Sequence, residues 1–173
     1  GTDCVMLSGE PAMGEYPVES VSMLAQIAAN TESYAFTLKH DDNKNNCEVT
    51  YDGYNFTNLL AQTVETALHY VKPAAVIVPS MSGHMARRMA RLRLPEWISS
   101  ITNSHKTASD LAFSFGVNPV YVDDLPDHWS SWSRQWVAEN QLVGDWVILP
   151  EGPSPKNPSA PHKMAIIDLT KSE

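Results

Sequence analysis

Residues 72–93 read KPAAVIVPSMSGHMARRMARLR. Ala74 to Val78 is an unbroken apolar run of strand length, with no polar residue to mark a wet face, so it reads as a strand covered on both sides of a sheet. Ser80-Met81-Ser82-Gly83 is a loop. Met85, Met89 and Leu92 then recur at helical spacing, with Arg87, Arg88 and Arg91 between them, which makes an amphipathic helix. The same alternation extends in both directions. Upstream, Phe56, Leu59, Leu60, Val64, Ala67, Leu68 and Val71 form a helical stripe. Downstream come a strand at Trp97 to Thr102, a helix from His105 to Gly116 with Gly116 as its C-cap, a strand at Val117 to Val122, a helix from Trp129 to Leu142 and a strand at Trp146 to Leu149. Alternating helices and strands predict an α/β fold, a three-layer α/β/α sandwich. The last strand, Met164 to Leu169, follows with no helix before it. Parallel neighbours need a crossover of a dozen or more residues, usually helical, so this strand is expected to run antiparallel.

The whole chain has 173 residues and carries twelve Lys and Arg against twenty Asp and Glu, a net charge of −8. That sign repels a phosphate backbone, so nucleic acid is not expected as a partner. No window approaches the roughly 18 apolar residues of a membrane span, so no membrane is expected either. Cys4 and Cys47 are too few for a disulfide scaffold or a zinc cluster, and no signal peptide is read at the start, so the expected location is the reducing cytoplasm.

The charge is unevenly spread. Residues 1–54 hold nine acidic and two basic side chains, and residues 55–173 hold eleven and ten. Three segments follow: an N-terminal part over 1–38, a polar linker over 39–54 that begins KHDDNKNNCEVTYDG, and an α/β domain over 55–173. In the first, Cys4 to Leu7 reads as a short strand and Ser8-Gly9 as a turn. Pro17 suits the first turn of a helix that runs to about Tyr34, with Val18, Val21, Leu24, Ile27 and Ala28 as its apolar stripe. One strand and one helix do not make a domain, so this stripe needs a neighbour.

Gly1 to Glu19, GTDCVMLSGEPAMGEYPVE, resembles the segment that closes the catalytic (β/α) barrel of pyruvate kinases, whose pattern is close to G-x-D-x-V-M-L-S-G-E-T-A-x-G-x-Y-P-x-E. The rest is similar in order and spacing of elements to the C-terminal domain of that family. The resemblance implies a mixed five-stranded sheet of order 3-2-1-4-5 with strand five antiparallel. It implies a parent that transfers a phosphoryl group between phosphoenolpyruvate and ADP in glycolysis, using magnesium and potassium held on earlier barrel strands, and that assembles as a homo-oligomer, a tetramer. It implies no cofactor and no kinase activity for these residues alone, with the remainder of a pyruvate kinase chain as their partner.

Ser8 and Glu10 match the rim of the family's active site, while Pro11 departs from the family's threonine; a plain turn with a first-turn charge is the competing account. Open α/β sheets bind ligands beyond the carboxyl ends of their strands at the switch point, so the loops after Val78 and Leu149 are expected to meet. The first, PSMSGHMA, aligns with the family's T-K-S-G-R-S loop, which binds a phosphate of a sugar bisphosphate activator. The resemblance places Ser80, Ser82, Gly83 and His84 on its Thr, Ser, Gly and Arg, and Lys156 adds charge from the second loop. Met81 and Met85 remove one charge and one donor, so an ordinary capped turn competes with an anion site. The second loop, PEGPSPKNPSAPH, has prolines at 150, 153, 155, 158 and 161, which offer no N–H groups to cradle a bisphosphate. A smaller phosphorylated effector, or none, fits better.

Other groupings point to packing or solvent. Arg87, Arg88, Arg91 and Arg93 read as a solvated face with internal pairs, Trp129, Trp132 and Trp136 as core or subunit contacts, and Asp123-Asp124 as a loop pair. His69, His105 and His128 lack metal-ligand spacing, and Ser80 lacks the glycines of a nucleophile elbow. Three functions are thereby in play: a regulatory and assembly domain with an effector site, a purely structural oligomerisation domain, and an independent small-molecule binder of the same fold.

Overall fold

A computed structural model describes residues 2–42, 55–153 and 158–171. The chain divides into two compact units, Cys4–Gly53 and a larger one of Gly1–Asp3 with Tyr54–Glu173.

In the smaller unit, α1 (Gly9–Met13) precedes the long α2 (Pro17–Asp42). Two expectations change here. Cys4 to Leu7 forms no strand; a strand is stabilised by its ladder, and one apolar run without a partner has none. The helix passes Tyr34 and takes in Lys39 to Asp42, because nothing from Ala35 to Asp42 is a glycine or proline that would stop it. Residues 43–54, the rest of the expected linker, lie outside the described residues. The apolar stripe of α2 faces solvent within the chain: Val18 is 75% exposed, Val21 and Ile27 55%.

The larger unit is the sheet. It contains α3 (Phe56–Leu68), β1 (Ala75–Pro79), α4 (His84–Ala90), β2 (Ile98–Thr102), α5 (His105–Leu111), β3 (Val117–Tyr121), α6 (Trp129–Glu139), β4 (Trp146–Glu151) and β5 (Lys163–Asp168). The strand order is β3-β2-β1-β4-β5. β1 pairs in parallel with β2 and β4, β2 with β3, and β5 runs antiparallel to β4 with Trp146 opposite Asp168 and Glu151 opposite Lys163. This is the mixed three-layer sheet that the spacing and the resemblance predict.

The period of two along each strand sorts its side chains into two cores. Val76, Val78, Ile98 and Ile148 meet Ala61 and Val64 of α3, Ala86 and Met89 of α4, and Leu111. On the other face, Ala75, Ile77, Ile101, Val147, Leu149 and Ile167 pack with Val137, Trp129, Trp132 and Trp136 of α6. Asn55 caps α3 by accepting the N–H groups of Thr57 and Asn58. The helix of α5 ends at Leu111, five residues before the expected cap. Gly116 instead takes a left-handed φ of 67° at the entry to β3, where its carbonyl accepts from Ile98 N at 2.8 Å.

Truncating a core residue should leave a cavity here. Ile77 is fully buried, so Ile77→Ala is expected to lower unfolding free energy by about 2–5 kcal/mol in urea titration. Val143→Ala, at a 94% exposed position, is expected to stay within about 0.5 kcal/mol.

Candidate functional site

β1 and β4 pair in parallel, so their carboxyl ends lie side by side. Between them opens a cleft of about 740 Å³. Its wall is made by the loop after β1, the residues after β4, the approach to β5, Thr57 of α3, and the connection from β3 to α6. The two loops expected to meet at the switch point therefore do so.

The first loop is pinned from inside. Ser80 is buried, and its Oγ accepts the N–H of Gly83 at 2.8 Å. Thr107 Oγ1 donates to the Met81 carbonyl at 2.8 Å, and Arg87 Nη1 donates to the Ser82 carbonyl at 2.9 Å. Gly83 adopts φ 75°, where a side chain is strained, and an added Cβ would press on Arg87 and Leu111 at 3.1 Å. These contacts fix the loop and leave Ser82 and His84 facing outwards.

Of the residues singled out from the sequence, Ser80, Ser82 and His84 line the cleft. Gly83 shapes the loop, and its N–H is already taken by Ser80. Lys156, like Pro155, lies outside the described residues. Ser8 and Glu10 belong to the other unit. There Ser8 precedes α1 without a side-chain cap bond, and Glu10 accepts the Tyr16 N–H through Oε1 at 2.8 Å, which is a local structural bond.

The cleft also contains residues that the sequence analysis passed over. His162 stands with Nε2 3.5 Å from Thr57 Oγ1, and its ring is 5.8 Å from that of Phe56. Lys163 Nζ pairs with Glu151 Oε2 at 2.8 Å. The available signal was direction: an antiparallel β5 must begin beside the carboxyl end of β4. Trp129 has two roles, packing on the second core and lining the cleft. It meets Trp132 edge-on at 5.7 Å, and Trp132 stacks on Trp136 at 6.0 Å. Among the arginines, Arg88 donates to Asn58 and His84, and Arg93 pairs with Asp3 at 3.0 Å beneath the Phe115 ring. This is the internally paired pattern expected of that group. At the opposite end of β5 from the cleft, Asp168 is held down to about 2, first by the Thr170 hydroxyl and then by Lys171.

Ser80→Ala would leave the buried Gly83 N–H without its acceptor. The expected loss is about 1–3 kcal/mol in urea titration, whereas Ser82→Ala is expected to change stability by less than about 0.5 kcal/mol.

Residues 58–159, more than half of the chain, match the family model described as pyruvate kinase, alpha/beta domain. A pyruvate kinase of Thermococcus litoralis is 34% identical over 124 residues, which are 72% of this chain and 26% of that protein. One of Clostridium acetobutylicum is 29% identical over 185 residues, covering 99% of this chain and 36% of its own length. The chain thus spans between about a quarter and a third of these relatives. Among solved structures, a pyruvate kinase of Cryptosporidium parvum superposes with a TM-score of 0.75 over 98% of this chain and 33% of its own, at 23% identity, a likeness of fold. By the match of its sheet unit to that model, this chain belongs to the pyruvate kinase family and contains its C-terminal α/β domain.

Proposed function

We propose that the α/β unit is the regulatory and subunit-assembly domain of a pyruvate kinase, and that the cleft at its switch point receives a small phosphorylated effector. The N-terminal segment over 1–38 is then the closing piece of the parent's catalytic barrel, with 39–54 joining it to the α/β domain. The observation that carries the effector reading is the cleft itself. The pinned loop presents the Ser82 hydroxyl and the His84 ring at the place where open α/β sheets bind ligands. The chemistry belongs to the parent: phosphoryl transfer from phosphoenolpyruvate to ADP, in the cytoplasm, with magnesium and potassium.

The residues present do not fit the metal part of that chemistry. Among the described residues, no group of three His, Cys, Asp or Glu is placed to hold a metal ion. No catalytic step is therefore assigned to these residues, and the proposed role is control and assembly.

Assembly has its own support. Phe56 and Leu59 on α3 are each 58% exposed, and Ile166 on the edge strand β5 is 48% exposed. Apolar side chains on a helix and on an unpaired sheet edge fit contacts with a second copy of the chain. A purely structural domain is the second reading, favoured by the prolines at 150, 153 and 161, which withhold backbone donors from the cleft.

A thermal-shift titration with fructose 1,6-bisphosphate, ribose 5-phosphate, glucose 6-phosphate, AMP and ATP separates the two. A ligand that binds only the folded state adds about 2.7 kcal/mol at a hundredfold excess over its Kd. The expected result is a saturable rise in Tm with a monophosphate, abolished in Ser82→Ala. No rise with any of them at millimolar concentration would leave the structural reading.

A further inference from the structure

The charges around the cleft pose a problem for any anion. Among its described lining residues the one permanent cation is Lys163, and Glu151 already meets that charge at 2.8 Å. Asp127, in the connection from β3 to α6, adds a further carboxylate. Two imidazoles remain: His84 at the start of α4, and His162 just before β5. Histidine is the side chain whose charge changes between roughly pH 5 and 8. The described wall therefore offers little net attraction for an anion when both rings are neutral, and acquires it when they are protonated.

The contacts of each ring fit that switch. His84 Nε2 accepts from Arg88 Nε at 3.4 Å, a bond that the neutral ring can make and the imidazolium cannot. Protonation gives up this contact and sets a cation beside the Arg88 guanidinium, while Arg88 keeps its 3.0 Å bond to Asn58 on α3. A bound anion offsets that repulsion. His162 has no basic group from α3, which presents Thr57 and Phe56. The residues after β4 present Gly152 to it. Its charged neighbours in the cleft wall are the Glu151–Lys163 pair and Asp127. As an imidazolium it can donate through Nε2 to Thr57 Oγ1 and turn its other N–H to a ligand.

Resting on the effector reading above, we propose that anion binding in this cleft is proton-coupled: His84 and His162, taking up protons as the ligand enters, are the cations that hold a phosphate monoester or an oxyanion of the same chemistry.

Sulfate is the probe of choice. A phosphate monoester titrates itself near about pH 6, whereas sulfate keeps its charge, so any pH dependence belongs to the protein. Sulfate is titrated into the 173-residue chain between roughly pH 5.5 and 8, with binding followed by amide and imidazole chemical shifts. Affinity at the cleft is expected to fall about tenfold or more across that range. Sulfate is also expected to raise the titration midpoints of both rings. His84→Gln and His162→Gln should each flatten the pH dependence. Cleft binding that is equally tight at both ends of the range would overturn the proton coupling and leave the effector reading standing. No cleft shifts at any pH would overturn both. The ring midpoints of the unaltered chain decide the matter even if a variant fails to fold.

Discussion

Strand β5 runs against β4 over six paired positions, from Trp146 opposite Asp168 to Glu151 opposite Lys163. The direction is set by the connection. Eleven residues, rich in proline, join the two strands, and a parallel neighbour would need a longer crossover. Because β5 is antiparallel, its first residues return to the end of the sheet from which β4 has just left. That places His162 and Lys163 beside the loop after β1, although Thr57 and His162 are 105 positions apart in the chain. The cleft exists because several separate passes of the chain arrive at the carboxyl ends of the parallel β1/β4 pair.

The surrounding wall is rigid where it must be and charged only in part. Ser80, Thr107, Arg87 and Gly83 hold the loop after β1 through backbone contacts, of which the buried Ser80–Gly83 bond is the costliest to break. The loop is thereby held without using the side chain of the outward-facing Ser82, while His84 Nε2 accepts from Arg88 Nε. The Glu151–Lys163 pair neutralises the one permanent cation in the described wall. The titratable groups of the described wall besides that pair are the two imidazoles of His84 and His162 and the carboxylate of Asp127. The family match agrees with the fold of the sheet unit, the α/β domain of pyruvate kinases.

The sheet could be read from the sequence because its central strand β1 has no polar face. Ala74 to Val78 and the alternation of elements after it mark the strands, the family resemblance implies their order, and connection length gives the direction of the last. Ends were less legible. Gly116 read as a helix cap, yet α5 stops at Leu111 and the glycine turns the chain into β3. Periodicity marks which face of a helix is buried, and the stop depends on local hydrogen bonds. Cys4 to Leu7 has strand composition but no ladder. In the cleft, Ser80, Ser82 and His84 were found from the loop, whereas His162 and Thr57 were not, since their meeting depends on the return of β5 and no local pattern encodes it. The double use of Trp129, in the core and at the cleft, was hidden for the same reason.

The closure of the cleft by His162 is tested most directly by nuclear Overhauser effects in the 173-residue chain. The structure predicts cross-peaks from the His162 ring protons to the Thr57 side chain and the Phe56 ring, together with Hα contacts along β4 and β5 in the antiparallel register. A His162 ring with no contact to α3, or a β5 paired in another register, would contradict the account of the site.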